Sequence, residues 1–150
     1  MSTKDRGRSA GYMTNWAARL FARAIDRRLR PVGLSTGQMP VFFALADGTA
    51  MTQKALADFA SIEQPTMAAT LVRMERDGLV ERRRDPTDGR SAQVTLTPKA
   101  LEKAEALGES IAEVNAAALR DLSEEERVQF LDLLKRVVAA LEREIAGRRS

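Results

Sequence analysis

The 150-residue chain contains no cysteine and no histidine. It can therefore form no disulfide, it has no thiol for redox sensing, and it lacks the usual ligands of zinc, copper and iron, although carboxylates alone could bind a hard cation. No run of eighteen apolar residues is present, so no segment is expected to span a membrane. Residues 1–11 lack the apolar stretch of a signal peptide. We expect a cytoplasmic protein that needs no cofactor and no metal.

The composition, with 44% hydrophobic and 30% charged residues, is typical of one globular domain. Its net charge of +3 is unevenly distributed. Residues 1–34 carry eight basic and two acidic side chains, residues 35–100 carry eight of each, and residues 101–150 carry eight basic and eleven acidic ones. Net charge alone therefore does not indicate a nucleic-acid partner for the central segment, and only the placement of its arginines can do so.

The most informative segment spans residues 79–97 and predicts a β-hairpin with an arginine-rich tip. Asp85-Pro86 and Asp88-Gly89 suit tight turns, since proline fixes φ and glycine accepts φ > 0. The residues that follow the tip partly alternate and include β-branched side chains, as strands do. A predicted helix directly precedes this hairpin. That order is the layout of a winged helix-turn-helix, in which the helix enters the major groove of DNA and the hairpin reaches the minor groove.

Helical spacing of apolar residues predicts most other elements. The first helix is expected at about residues 12–30, and the second near Ser35, whose spacing to Gln38 is that of a capping box. Pro40 removes a backbone donor, so the second helix is expected to begin with a distortion.

The third and fourth helices are shorter. Thr52 is expected to cap the third helix, with Leu56 and Phe59 turned inward. Ser61 and Gln64 have capping-box spacing and are expected to open the fourth helix, which ends at a glycine. Its buried side is predicted to contain Met67, Leu71 and Met74, with Val72 as a further candidate.

Two long helices are predicted after the hairpin. One begins with Thr97 as N-cap and Pro98 as first helical residue, and the other begins at a capping box formed by Ser123 and Glu126. The last helix carries two adjoining apolar faces over residues 123–146, more than packing against one small lobe requires. We therefore expect it to take part in dimerisation.

The motif Asp85-Pro-Thr-Asp88-Gly-Arg90 resembles the wing of the MarR family of bacterial transcriptional regulators. Residues 34–38, 52–57, 78–82 and 94–98 also resemble family sequences, and they occur in the family's order. The resemblance extends to the order of elements over nearly the whole chain. The missing cysteines and histidines depart from the thiol-sensing and zinc-sensing members.

The resemblance implies a mainly α-helical fold with a small β-hairpin wing. About residues 35–98 would form the winged helix-turn-helix lobe, and about residues 10–32 and 99–147 a helical dimerisation region. It further implies a homodimeric DNA-binding regulator whose DNA affinity changes when a small molecule binds. We expect a repressor that binds a pseudo-palindromic operator in double-stranded DNA and is released by the effector.

DNA contacts are expected from the starts of several helices, the fourth helix and the wing. Glutamine pairs with adenine, arginine with guanine, and threonine or alanine can contact a thymine methyl group, although such residues also form plain solvated helix faces. At the wing tip, Arg90 would be held by Asp88 through a forked hydrogen-bonded pair, the alternative being an exposed ladder of charges. The candidates are Ser35, Thr36, Thr52, Gln53, Ser61, Gln64, Pro65, Thr66, Ala69, Thr70, Arg73, Arg82, Arg84, Asp88 and Arg90.

An effector pocket between the first, second and fifth helices is a further implication of the resemblance. Arg19 would anchor a small anionic ligand such as an aromatic carboxylate. Core packing is the alternative for the apolar candidates. The residues concerned are Tyr12, Trp16, Arg19, Met39, Phe42 and Phe43.

Two other classes of function are disfavoured. A winged helix can bind proteins without reading DNA, and the arginine-tipped hairpin argues against that alternative. An enzyme is disfavoured because histidine, cysteine and a glycine-rich phosphate loop are missing. Asp85 and Asp88 form the one acidic pair that could suggest catalysis, and neighbouring arginines would neutralise both, so no catalytic residue is expected.

Overall fold

The computed structural model describes residues 3–84, 87–89 and 91–147. In these residues six α-helices and three β-strands follow one another: α1 (Ala10–Leu29), α2 (Met39–Leu45), β1 (Met51–Thr52), α3 (Gln53–Ala60), α4 (Gln64–Arg76), β2 (Val80–Arg84), β3 (Ala92–Leu96), α5 (Pro98–Ala118) and α6 (Glu124–Gly147). Short 3-10 helices cover Thr3–Arg8, Arg30–Val32 and Thr36–Gln38. The mainly helical fold with a small sheet is confirmed. The chain divides into two compact units, residues 1–112 and 113–150.

The core of the first unit is built from apolar side chains of α1 to α5 and the sheet. Its fully buried large members are Leu29, Val41, Phe42, Leu45, Leu56, Met67, Leu71, Met74, Leu79 and Val94. On α4 the buried positions recur at three- and four-residue steps, so one side of this helix packs on the core and the other is left to solvent.

The start of α2 follows the predicted capping chemistry. The Ser35 amide donates to Gln38 Oε1 at 3.0 Å, and both halves of the capping box are present. A 3-10 turn precedes α2, and Pro40 lies in the first turn of the α-helix, which is the expected distortion. The Thr36 amide also donates to Asp26 Oδ1 of α1 at 2.7 Å, so α1 helps to fix where α2 begins.

The predicted capping box at Ser61 is wrong. Helix α4 begins at Gln64 with Glu63 as its N-cap residue, while Ser61 ends α3 in the left-handed conformation at φ +51°. With Ser61 as N-cap, the amide of residue 65 would have to donate to the Ser61 carbonyl, and Pro65 has no amide proton. Proline is instead tolerated in the first turn, where its missing donor costs nothing, so the helix starts later.

Phe59 and Val72 do not face the core as expected. Their exposed fractions are 56% and 60%. Each residue turns a helix by about 100°. In α3 the buried side is centred between Leu56 and Ala57, which leaves Phe59 on the outside. In α4 the buried positions place Val72 on the opposite side of the helix.

The wing strands β2 and β3 form an antiparallel pair. A third strand, β1, which the sequence did not reveal, adds to the edge of this pair. β2 pairs with β3, with Arg82 opposite Val94, and β1 pairs with the other edge of β3, with Met51 opposite Val94. β1 has two residues, too few for an alternating pattern. It anchors the base of the wing to the residues just before α3.

The junction between α4, the wing and α5 is held by a short network of hydrogen bonds. Gly78 has φ +70°, and the amides of Gly78 and Leu79 donate to the carbonyls of Glu75 and Met74 at 3.0 and 2.8 Å, which is a Schellman ending. The Thr97 hydroxyl donates to the Gly78 carbonyl at 2.6 Å and accepts from the Ala100 amide at 3.2 Å. One side chain therefore caps α5 and ties it to the end of α4.

Two lysines of α5 connect this helix to the carboxyl ends of other helices. Lys99 Nζ donates to the Asp77 carbonyl at the end of α4 at 2.9 Å, and Lys103 Nζ donates to the Val32 carbonyl after α1. Cations at the carboxyl ends of helices are favourable because free carbonyls and the helix dipole meet there.

The second unit contains the end of α5 and α6. Its predicted capping box is confirmed, since the Ser123 amide donates to Glu126 Oε2 at 2.8 Å and the Glu126 amide to Ser123 Oγ at 3.1 Å. Large apolar side chains of α6 are exposed in the single chain: Val128, Phe130, Leu131, Leu133, Val137, Val138, Leu141 and Ile145.

Thr97→Val tests the junction. It removes a helix cap and leaves the Gly78 carbonyl without its hydroxyl donor, so we expect a loss of about 1–2 kcal/mol in the free energy of unfolding. Urea unfolding at one protein concentration measures it. Thr97→Ser keeps the hydroxyl and should retain most of the stability, and Thr95→Val on β3 is the matched control. Equal midpoints for Thr97→Val and Thr95→Val would contradict this role.

Candidate nucleic-acid interface

The outer side of α4 carries most of the polar residues that were expected there. Gln64, Pro65, Thr66, Ala69 and Arg73 are all exposed. They lie on the second helix of a helix-turn-helix, in which the chain reverses at Ser61 and the Ile62 amide donates to the Ala57 carbonyl at 3.0 Å. The side of α4 that faces away from the core is therefore open to a partner along its whole length.

Thr70 was expected in that set but is buried. Its exposed fraction is 7%, and its hydroxyl accepts a hydrogen bond from Arg73 Nη2 at 3.3 Å. Thr70 lies three residues after Met67 and four before Met74, so it shares their buried side. The expectation that it belongs to the outer polar face was wrong. Its hydroxyl instead holds the Arg73 side chain.

The three consecutive arginines of β2 differ in their surroundings. The Arg82 side chain is 28% exposed, with Nε 3.4 Å from Glu75 Oε2 of α4 and Nη1 3.4 Å from Gln53 Oε1 of α3. The buried Nε lies at ion-pair distance from Glu75 without hydrogen-bond geometry. The Arg83 side chain is 74% exposed and pairs with Glu81 at 2.8 Å. Arg84 is also exposed.

Strand alternation explains only part of this difference in surroundings. Arg82 and Arg84 lie on one face of β2 and Arg83 on the other, as expected from the alternation of side chains along a strand. Arg82 reaches Glu75 of α4 and Gln53 of α3, whereas Arg84, two residues nearer the tip, is exposed. The sequence pattern predicts Arg82 and Arg84 together as DNA contacts, and the structure separates them into an inward and an outward arginine.

The other candidates near the helix starts already have local partners. Thr52 Oγ1 accepts from the Ala55 amide at 3.1 Å as N-cap of α3, which confirms the predicted cap. Ser35 takes part in its capping box, and the Thr36 amide is held by Asp26. These bonds position the starts of α2 and α3.

Arg90 lies outside the described residues, as do Asp85 and Pro86. The pairing of Arg90 with Asp88 therefore stays a prediction. In the described part of the tip, the Ser91 amide donates to the Asp88 carbonyl at 3.1 Å, which closes a turn at the start of the return strand.

Local charges at the end of α4 are partly compensated. Arg76 Nε donates to Asp77 Oδ1 at 2.9 Å, and this hydrogen bond lowers the pKa of the exposed Asp77 carboxyl below its ordinary value.

Among the described residues, no group of three or more acidic side chains could hold a metal ion. No helix in the described part of the chain is long and apolar enough to cross a membrane.

The six candidates for an effector pocket occupy different environments. Phe42 belongs to the core, whereas its neighbour Phe43 is exposed, because adjacent helical residues point about 100° apart. Met39 is half-buried and Arg19 exposed. Tyr12 meets Trp16 edge to face, with ring centroids 6.1 Å apart, and the Arg6 guanidinium lies 5.9 Å from the Tyr12 centroid.

Comparison with known proteins supports the winged-helix interpretation. A family model described as the MarR family matches residues 32–91. YwoH of Bacillus subtilis, an uncharacterized HTH-type transcriptional regulator, is 32% identical over 124 residues, which is 83% of this chain and 90% of that protein. The transcriptional regulator HosA of Escherichia coli is 37% identical over 110 residues, 71% of this chain and 79% of its own length.

A solved structure shares the fold. The DNA complex of MepR from Staphylococcus aureus superposes with a TM-score of 0.79 at 24% identity, covering 88% of this chain and 98% of MepR. The curated relatives named above are transcriptional regulators rather than enzymes. YwoH is 32% identical over most of the chain, and the family model matches the part that carries α3, α4 and the wing. The chain therefore belongs to the MarR family of transcriptional regulators.

Proposed function

We propose that this regulator binds double-stranded DNA as a homodimer and represses transcription from a pseudo-palindromic operator. The observation that carries the proposal is the open outer side of α4, with Gln64, Thr66, Ala69 and Arg73 turned away from the core, followed directly by the arginine-bearing wing. An α-helix fits the major groove, and a narrow basic hairpin fits the minor groove. MepR, whose fold is similar, has been crystallised with DNA.

Residues in this interface would divide by role. Gln64, Pro65, Thr66, Ala69 and Arg73 would lie against base edges. Ser35, Thr36, Thr52, Gln53 and Ser61, at or near the starts of helices, would face phosphates. Arg84 would meet phosphate from the outward side of the wing. Arg90, aimed by Asp88, would enter the minor groove, where the negative potential attracts a guanidinium.

Arg73→Ala tests base reading. Arginine can form two hydrogen bonds with guanine, and the Thr70 hydroxyl restricts where this side chain points. We expect a loss of about 1–3 kcal/mol on a preferred duplex obtained by selection from random DNA, with relaxed preference at one position in each half-site. Titration of wild type and variant on selected and random duplexes measures it. An equal loss on both duplexes would make Arg73 a phosphate contact.

The same selection separates the proposal from its rival. A winged-helix module that binds only proteins would enrich no sequence and would show only weak, salt-sensitive attraction to any duplex. Enrichment of a two-fold symmetric site supports the regulator.

Arg82 and Arg84 should differ in the salt dependence of DNA binding. Removing one phosphate contact makes the slope of log K against log salt shallower by about one. Arg84→Gln should reduce the slope in this way, because its side chain is exposed. Arg82→Gln should weaken binding with the slope unchanged, because its guanidinium lies against Glu75 and Gln53. Glu75→Gln, which removes the acidic partner of Arg82, is the companion variant. A slope reduced by Arg82→Gln would show that Arg82 contacts DNA directly.

Dimerisation is proposed to involve the helical regions 10–32 and 99–147, outside a DNA-binding lobe at about 35–98. The exposed apolar side chains of α6 carry this part. A stripe of this size on one helix is costly in water and marks an interaction surface. Trp16 and Leu20 on α1 are also exposed in the single chain.

Leu131→Glu combined with Leu141→Glu should give monomers in sedimentation analysis, because two charges would have to be buried without partners. Gln129→Glu with Arg143→Gln, on the polar side of α6, changes the total charge equally and should remain dimeric. If the leucine variant sediments as a dimer, the surface is wrongly assigned.

Release from DNA is proposed to follow binding of a small aromatic or anionic effector, as the family resemblance implies. Tyr12, Trp16 and Arg19 on α1 are the candidates on the exposed or half-buried side, and Met39 and Phe43 lie on α2. Phe42 is 2% exposed, so we propose that it supports the pocket from the core rather than touching the effector. Effector binding would shift the population towards a form with lower DNA affinity.

A further inference from the structure

The outermost line of α4 contains an exposed apolar residue that the roles proposed above do not use. Pro65, Ala69, Val72 and Arg76 are spaced four, three and four residues apart, and all four face away from the core. This spacing places them in one row along the helix. The buried row, with Met67 and Met74 at its centre, lies on the opposite side. Val72 therefore points farther from the core than Arg73 does.

A single exposed valine is ordinary on a protein surface and needs no explanation by itself. Two features set Val72 apart. It is the β-branched member of the row, 60% exposed and on a helix, where valine has lower propensity than alanine and here lacks the packing that would compensate. It also lies between Ala69 and the guanidinium-bearing positions Arg73 and Arg76, so any DNA that meets those residues meets Val72 too.

We infer that Val72 reads a thymine through contact with its 5-methyl group in the major groove. This inference rests on the proposed DNA-binding function of α4 and deepens it. The thymine methyl is the one apolar group that base pairs present in that groove, and apolar side chains recognise it by excluding water. The two γ-methyl groups of valine offer a rigid apolar surface, because its β-branched side chain has restricted rotamers.

The flanking residues favour thymine over another occupant. Arg76 is paired with Asp77, which reduces the charge next to Val72, and Ala69 and Val72 form a small apolar step between Pro65 and Arg76. A step of two small side chains matches one or two methyl groups. It is too small to dock a protein helix, whose binding uses three or four large anchors.

The test combines a protein variant with a DNA variant. Wild type and Val72→Ala are titrated on the selected duplex and on duplexes in which each thymine of one half-site is replaced in turn by deoxyuridine, which lacks only the methyl group. For wild type we expect one position at which deoxyuridine weakens binding about fourfold, the effect of one buried methyl group. Val72→Ala should bind the intact duplex about as weakly as wild type binds the duplex with deoxyuridine at that position. Replacing that thymine by deoxyuridine should not weaken the binding of Val72→Ala further.

Controls separate this effect from folding and from loss of the proposed function. Thermal unfolding should show Val72→Ala folded, since alanine is the better helix former. Phe59→Ala removes an apolar side chain of similar exposure from α3 and should leave the deoxyuridine profile of wild type unchanged. The same profile in wild type and Val72→Ala, or an equal loss by Val72→Ala on selected and random duplexes, would overturn the inference while leaving DNA binding intact. Failure of wild type to enrich any duplex would overturn the proposed function and the inference with it.

Discussion

The hydrogen bond from the Thr97 hydroxyl to the Gly78 carbonyl fixes the base of the wing to the end of α4. The hairpin leaves the end of α4 at Gly78 and returns to the start of α5 at Thr97, and this bond joins the two points at 2.6 Å. The Thr97 amide also donates to the Leu79 carbonyl at 3.0 Å. The base of both wing strands is therefore fixed at the carboxyl end of α4.

Glycine is required at that point by backbone geometry. Residue 78 has φ +70°, a conformation that costs a non-glycine residue roughly 1–2 kcal/mol. The turn allows Leu79 to pack back into the core. Lys99 covers the last carbonyl of the helix and lies 3.8 Å from where a side chain at Gly78 would begin. The ending of α4, the exit of the wing and the start of α5 thus form one unit.

Electrostatics in the lobe depend on pairing rather than on total charge. Residues 35–100 contain equal numbers of basic and acidic side chains. Acidic residues hold several arginines internally or at the surface: Glu75 lies beside Arg82, Glu81 beside Arg83 and Asp77 beside Arg76. The exposed pairs, those of Arg83 and Arg76, contribute little stability. Their consequence is that the lobe presents a few positive positions at defined places instead of a uniformly basic surface, an arrangement suited to specific binding.

Local sequence determined the features that depend on neighbours within a few residues. The capping boxes at Ser35 and Ser123, the N-caps Thr52 and Thr97 and the glycine ending of α4 all follow from short-range hydrogen bonds and allowed backbone angles, so residue type and spacing predict them. Tertiary structure decided what depends on distant parts of the chain. Which way Phe59, Thr70 and Val72 point was set by the rotation of α3 and α4 against the core, and a shift of one helical position changes the buried side by about 100°. The partners of Arg82 come from α3 and α4, and the two-residue strand β1 exists because β3 offers it an edge, so neither could be read from the local sequence.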